Sequence, residues 1–218
     1  MKAFSSEDLV KNIKVVIFDC DGVLFDSRQA NINYYNHLLK KFGLPPMKES
    51  QVEYIHMHTA EESIAFLFHG TPYLEQAQSY RHKMDYMPFV KDMIMEEGLK
   101  ELLGLLKSRF HLAMATNRSN TISEVIKQHG LEGFFDMVVC SLDVTRPKPD
   151  PESIEKILRH FKITPRQAVY VGDSLIDQQT AAASGVIFIA YKNKKLEADY
   201  HAARLMDIAN ILGLSPDH

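Results

Sequence analysis

Residues 15–27 read VVIFDCDGVLFDS, an apolar run that stops at Asp19 and Asp21 with Gly22 directly behind them. Consecutive apolar residues rich in β-branched side chains predict a strand buried on both faces, as in a parallel sheet covered by helices on each side. The two carboxylates then stand at the strand's carboxyl end, where open parallel sheets bind their ligands.

Working outward, the same kind of run recurs as LAMATN (112–117), FDMVVC (135–140), AVYVGD (168–173) and VIFIA (186–190). Between these runs lie GLKELLGLLKSR (98–109), SNTISEVIKQHG (119–130), PESIEKILRHF (151–161) and DQQTAAASG (177–185), all with helical spacing. Thr121 with Glu124 predicts a capping box, and Gly130 and Gly185 suit helix C-termini. The region from residue 98 onward therefore reads as alternating strand and helix. Residues 28–97 do not fit that alternation, because a crossover should reach a second strand much sooner. Instead RQANINYYNHLLKKFG (28–43), TAEESIAFLFHG (59–70) and TPYLEQAQSYRHKM (71–84) repeat helical spacing, with no convincing strand and with a capping box at Thr59 and Glu62. The expected fold class is α/β, a Rossmann-like parallel core formed by residues 1–27 and 98–218 with a helical insert at 28–97.

Composition fixes the setting. With 218 residues and 45% hydrophobic content the chain can bury a large core. Lys+Arg 25 against Asp+Glu 28 leaves a net charge of -3, so no basic field gathers nucleic acid or anionic lipid. No segment has the length of an apolar membrane span, and the opening MKAFSSEDLVKNIK lacks a signal-peptide core, which predicts a soluble, cytoplasmic protein. Cys20 and Cys140 are too few for a disulfide framework or a cysteine zinc site.

The strand ends carry the chemistry. Strand one delivers Asp19 and Asp21, strand two Thr116 and Asn117, and AVYVG delivers Asp173, with Asp177 four residues on; TRPKPDP (145–151) adds Lys148 in a proline-stiffened loop. Carboxylates gathered in one crevice repel by about 1 kcal/mol per pair at 4 Å in water, and by more in a lower dielectric. A cation must compensate. An all-oxygen donor set favours a hard ion, and Mg²⁺ suits one or two carboxylates together with a substrate phosphate. Lys148 adds a second positive charge, and the N–H groups around Cys20 and Asp21 can donate to phosphate oxygens. The pattern points to phosphoryl transfer.

In this order DCDGVLFDS (19–27), ATN (115–117), RPKPDP (146–151) and GDSLIDQQTAAASG (172–185) resemble the four motifs of the haloacid dehalogenase superfamily, in its phosphoglycolate phosphatase-like branch. The resemblance implies a mobile α-helical cap at 28–97 and two-step hydrolysis of a small phosphate ester. It makes Asp19 the nucleophile and Asp21 the general acid and base. Mg²⁺ would sit on Asp19, the Asp21 carbonyl and Asp173, with Asp177 ligating directly or through water. Thr116, Asn117 and Lys148 would hold the phosphoryl group together with the backbone at Cys20 and Asp21. The Cys20 thiol, flanked by carboxylates, should be a poor nucleophile. In IHMHT (55–59), just before a cap helix, His56 or His58 is expected on a turn that can face the core and meet the substrate, the alternative being that both are exposed or structurally satisfied, and the RHK run at 81–83 is expected on a solvated helix face. A β-phosphoglucomutase-like phosphomutase shares the nucleophile and is the alternative activity. A phosphonate hydrolase would want a cap lysine, for which only Lys83 and Lys91 are unassigned. Asp21 argues against a dehalogenase, and the long insert against a signalling receiver domain. A monomer and a homodimer are both compatible with the sequence.

Overall fold

The computed structural model describes residues 12–119 and 121–214. The N-terminal stretch read for a signal peptide falls largely outside them, as does residue 120, the position before the helix that begins at Thr121.

All five predicted strands form, as β1 (Val15–Phe18), β4 (His111–Ala115), β5 (Met137–Val139), β6 (Ala168–Gly172) and β7 (Ile187–Tyr191). A further strand, β8 (Tyr200–Ala202), extends one edge, giving a six-stranded sheet of order β5-β4-β1-β6-β7-β8. Every pairing in it is parallel. Successive side chains of the central strands alternate between two buried faces, as the pleat requires. Val16, Phe18, Leu112, Met114, Val169 and Val171 pack on one face with Leu99, Leu102, Leu103 and Leu106 of the helix Leu99–Lys107, and with Ile208 of Leu205–Ile211. Val15, Ile17, Ala113, Ala115 and Tyr170 point the other way, against Ile154, Ile157 and Leu158 of the helix Glu152–Phe161. Burying a side chain of this size contributes about 1.5–3 kcal/mol, so these two layers carry most of the apolar stabilisation of the sheet.

The segment after β1 is helical: Arg28–Lys41, Glu49–Met57, Ala60–Leu67, Leu74–Arg81 and a single turn, Met87–Val90. Thr59 caps the third of these, accepting the Glu62 N–H while the Glu62 carboxylate accepts the Thr59 N–H. The expectation that no strand lies within 28–97 needs correction, because β3 (Ile94–Met95) lies there and pairs antiparallel with β2 (Phe25–Asp26) just before the segment. Apolar side chains of the segment, including Ala30, Tyr34, Leu38, Ile64 and Phe68, belong to one continuous cluster with the sheet and with Val23, Leu24 and Phe25. No described helix is long and apolar enough to cross a membrane.

Candidate active site

The register of the sheet builds the site. Phe18 lies beside both Met114 and Val171, so the three central strands end level and the residues just beyond them converge. The Asp19 N–H donates to Val171 O, and the chain then turns. The N–H groups of Cys20 and Asp21 therefore lie past the ladder. Gly22 has φ +80, and a Cβ there would collide with the Asp173 carboxylate, so glycine is required twice over.

Asp19 is 7% exposed, and its Oδ1 lies 2.9 Å from Lys148 Nζ while having no well-aligned hydrogen-bond partner among the described residues. Burial, opposed by Lys148 and reinforced by Asp177 and Asp21, pushes its pKa up to about 7. One oxygen each from Asp19, Asp173 and Asp177 fall within 4.8 Å of one another. Burial and the same neighbouring carboxylates raise Asp173 well above the ordinary range. An Asp19 oxygen without a well-aligned donor, with oxygens of Asp173 and Asp177 close by, fits a hard divalent cation.

Asp177 differs from the other two. Its Oδ1 accepts from Lys148 Nζ (2.7 Å) and Tyr170 Oη (2.6 Å); its Oδ2 accepts from Ser174 Oγ (2.6 Å) and from the N–H groups of Ser174 and Asp173. Ser174 in turn caps the helix Leu175–Ser184. Burial alone would raise this carboxyl, yet Lys148 and its other donors hold it below the usual range. Lys148, 4% exposed, is bracketed by these contacts and donates also to Tyr170 Oη at 2.9 Å. Burial works against its charge, but Asp177 and Asp19 overcome that and raise its pKa.

The remaining predicted residues sort by what their polar groups touch. The Asn117 side chain accepts the Lys148 N–H (3.0 Å) and donates to Lys148 O (3.1 Å) and Met57 O (3.3 Å), so its amide fixes the lysine loop. Thr116 Oγ1 accepts the Arg118 N–H and keeps its own proton to donate. The Cys20 thiol is fully buried, and burial with Asp21 raises its pKa well above the ordinary value. His56 lies in the last turn of the helix Glu49–Met57 instead of on a turn, with Nδ1 3.5 Å from Asn31 Nδ2. His58 follows that helix and stacks on Tyr54 at 3.8 Å. Both histidines line the cleft containing Asp19, Asp21 and Lys148.

Two participants escaped the sequence reading. Arg118 forms a two-pronged pair with Asp21, Nε to Oδ2 and Nη2 to Oδ1, both 2.8 Å, and Nη2 also reaches Tyr86 Oη (3.0 Å) and Asn31 Oδ1 (3.4 Å). Burial tends to raise Asp21, but this pair outweighs it and lowers the carboxyl below its ordinary value. Tyr170 looks like a plain core position, yet its hydroxyl bridges Lys148 and Asp177. The run at 81–83 divides: His82 and Lys83 are exposed, while the Arg81 side chain is only 11% exposed.

The crevice at the strand ends thus gathers a buried aspartate beside a lysine, a cluster of three carboxylates and a further aspartate paired with an arginine. Residues 16–191 match the family of haloacid dehalogenase-like hydrolases. The chain belongs to that family, among its phosphoglycolate phosphatase-like members, and is an enzyme. It is similar to a pyrophosphatase PpaX of Bacillus velezensis, 27% identical over 94% of this chain and 98% of that one. It is likewise similar to a phosphoglycolate phosphatase of Chromobacterium violaceum, 30% identical over 83% and 86% of the two chains. Among solved structures, a subfamily IA hydrolase of Geobacter sulfurreducens shares 40% identity and a TM-score of 0.76 over 93% of this chain and 97% of that one.

Proposed function

We propose that the protein is a Mg²⁺-dependent phosphatase that hydrolyses a small phosphorylated metabolite through an aspartyl-phosphate on Asp19. The observation that carries this reading is the buried Asp19 carboxylate, 2.9 Å from Lys148 Nζ, with Asp173 and Asp177 gathered beside it. In the first step an Asp19 oxygen attacks phosphorus and the bond to the ester oxygen breaks, its electron pair leaving as an alkoxide that takes a proton from Asp21, which has first left Arg118 and taken up that proton from solvent. In the second, Asp21 removes a proton from water, the resulting oxygen attacks phosphorus, and the Asp19 carboxylate is released with inorganic phosphate. Thr116 Oγ, Lys148 Nζ and the N–H groups of Cys20 and Asp21 stabilise charge on the phosphoryl oxygens. Asn117 serves the same end by holding the Lys148 loop.

Asp19, the Asp21 carbonyl and Asp173 would hold the Mg²⁺, which supplies charge neutralisation at the phosphoryl oxygens. Asp177, with both oxygens already engaged, would act through a water and through the Asp173 and Ser174 backbone it anchors. The division into a core (1–27 and 98–218) and a cap (28–97) belongs to the same proposal. His56 and His58 are offered by the cap to the part of the substrate beyond the phosphate. The test is phosphate release by purified protein from a panel of phosphate esters, with Mg²⁺ and with chelator. Release that depends on Mg²⁺ supports the reading. Conversion of sugar phosphates to isomers without release would favour a phosphomutase, and the absence of release, isomerisation and any aspartyl-phosphate would refute phosphoryl transfer.

A further inference from the structure

The pair between Asp21 and Arg118 sets a problem that the hydrolytic mechanism does not solve. Both Asp21 oxygens are committed to the guanidinium at 2.8 Å, so neither is available to a leaving group. Asp21 must turn away from Arg118 to serve as proton donor. Arg118 is only 9% exposed, and a buried guanidinium deprived of its counter-charge is strongly unfavourable. The neutral partners left to it, Tyr86 Oη and Asn31 Oδ1, cannot replace a carboxylate.

Arg118 is also well placed for another partner. It leaves the end of β4 two residues after Thr116, and its N–H is held by Thr116 Oγ1 while its own carbonyl accepts the Ser141 N–H. The backbone is thereby fixed beside the phosphoryl-binding hydroxyl. Its guanidinium lies 5.1 Å from the centre of the Tyr86 ring, in the same cleft as Asp19, Lys148, His56 and His58. The Asp21–Arg118 pair spans its wall.

We infer that Arg118 is a specificity residue: as Asp21 turns to the leaving group, the guanidinium passes to a second anionic group on the substrate, a carboxylate or a second phosphate. The inference rests on the phosphatase reading and narrows its substrate class to esters or anhydrides whose leaving group itself carries negative charge. A planar two-pronged donor suits both kinds of anion. An uncharged leaving group would leave Arg118 stranded.

Matched substrates test this. Phosphoglycolate and pyrophosphate carry the second anion, and 2-hydroxyethyl phosphate lacks it. The wild-type protein with Mg²⁺ should show a kcat/KM at least about tenfold higher for one of the anionic substrates than for the neutral ester, since hydrogen bonds to a charged group are the stronger kind. Arg118→Gln should reduce that preference to within a few-fold, and Arg118→Lys, which keeps the charge without the fork, should retain part of it. Circular dichroism establishes that each variant is folded, and the wild-type comparison stands even if one is not. No preference in the wild type, or a preference that survives in folded Arg118→Gln, would overturn the inference while leaving the phosphatase reading intact. Absence of turnover with all three substrates and with p-nitrophenyl phosphate would overturn both.

Discussion

Replacing Lys148 by Met probes the charge balance of the site. The ammonium is 4% exposed and lies 2.9 Å from Asp19 and 2.7 Å from Asp177, carboxylates that are 7% and 0% exposed. Methionine matches its length but leaves two buried carboxylates facing each other without a counter-charge. Breaking a buried pair costs roughly 3–5 kcal/mol, and in a chain of this size each kcal/mol lowers Tm by about 2–4 °C. Metal-free Lys148→Met should therefore melt roughly 6–20 °C below the wild type at pH 8. The pH dependence gives the sign. With Lys148 present, the Asp177 pKa is lowered, so its contribution exists above the unfolded carboxylate value and is lost only when pH falls through the lower folded one. Without Lys148, burial raises Asp177, and the variant should gain stability as pH falls toward 5, narrowing the gap. Adding Asp177→Asn should restore part of the loss. A melting difference below about 2 °C at pH 8, or a gap that widens on acidification, would refute the reasoning.

Asp21→Asn should slow phosphorylation of Asp19 by about 10²–10⁴-fold with an alkyl phosphate, and much less with p-nitrophenyl phosphate, whose leaving group needs little protonation; single-turnover rates with the two esters check this. Gly22→Ala combines a φ of +80 with a Cβ that would strike the Asp173 carboxylate. It should lower stability by at least about 1 kcal/mol and weaken Mg²⁺ affinity, measured by thermal melting with and without the ion.

The motifs were legible because the register of a parallel sheet levels its strand ends. Asp19, Thr116 and Asp173 each follow an unbroken apolar run, and Phe18, Met114 and Val171 lie side by side. The short strands were not legible: Phe25–Asp26, Ile94–Met95 and Tyr200–Ala202 are too brief for periodicity, and partner strands alone define them. Arg118 was hidden in the polar stretch TNRSN, where an arginine reads as solvated; only its place one residue past a strand-end motif hinted otherwise. Tyr170 alternates correctly as a core residue, and nothing local reveals that its hydroxyl meets Asp177 across the turn. The Ser174–Asp177 capping box escaped the sequence reading, and it helps explain why Asp177 has no oxygen to spare. Of the two histidines of IHMHT only His58 leaves the helix, with extended backbone, while His56 stays within its last turn because Tyr54 O still accepts the His58 N–H.

The central claim is that Asp19 carries the phosphoryl group. Rapid acid quenching of the enzyme during turnover of its best substrate, followed by peptide mass spectrometry, tests it most directly. The account predicts one phosphoryl group on the peptide containing Asp19, formed as fast as the burst of product and absent from Asp19→Asn, whose turnover should fall by about 10³-fold or more. A phosphorylated Asp21 or Asp173, or full turnover with no phosphoprotein and an active Asp19→Asn, would contradict it.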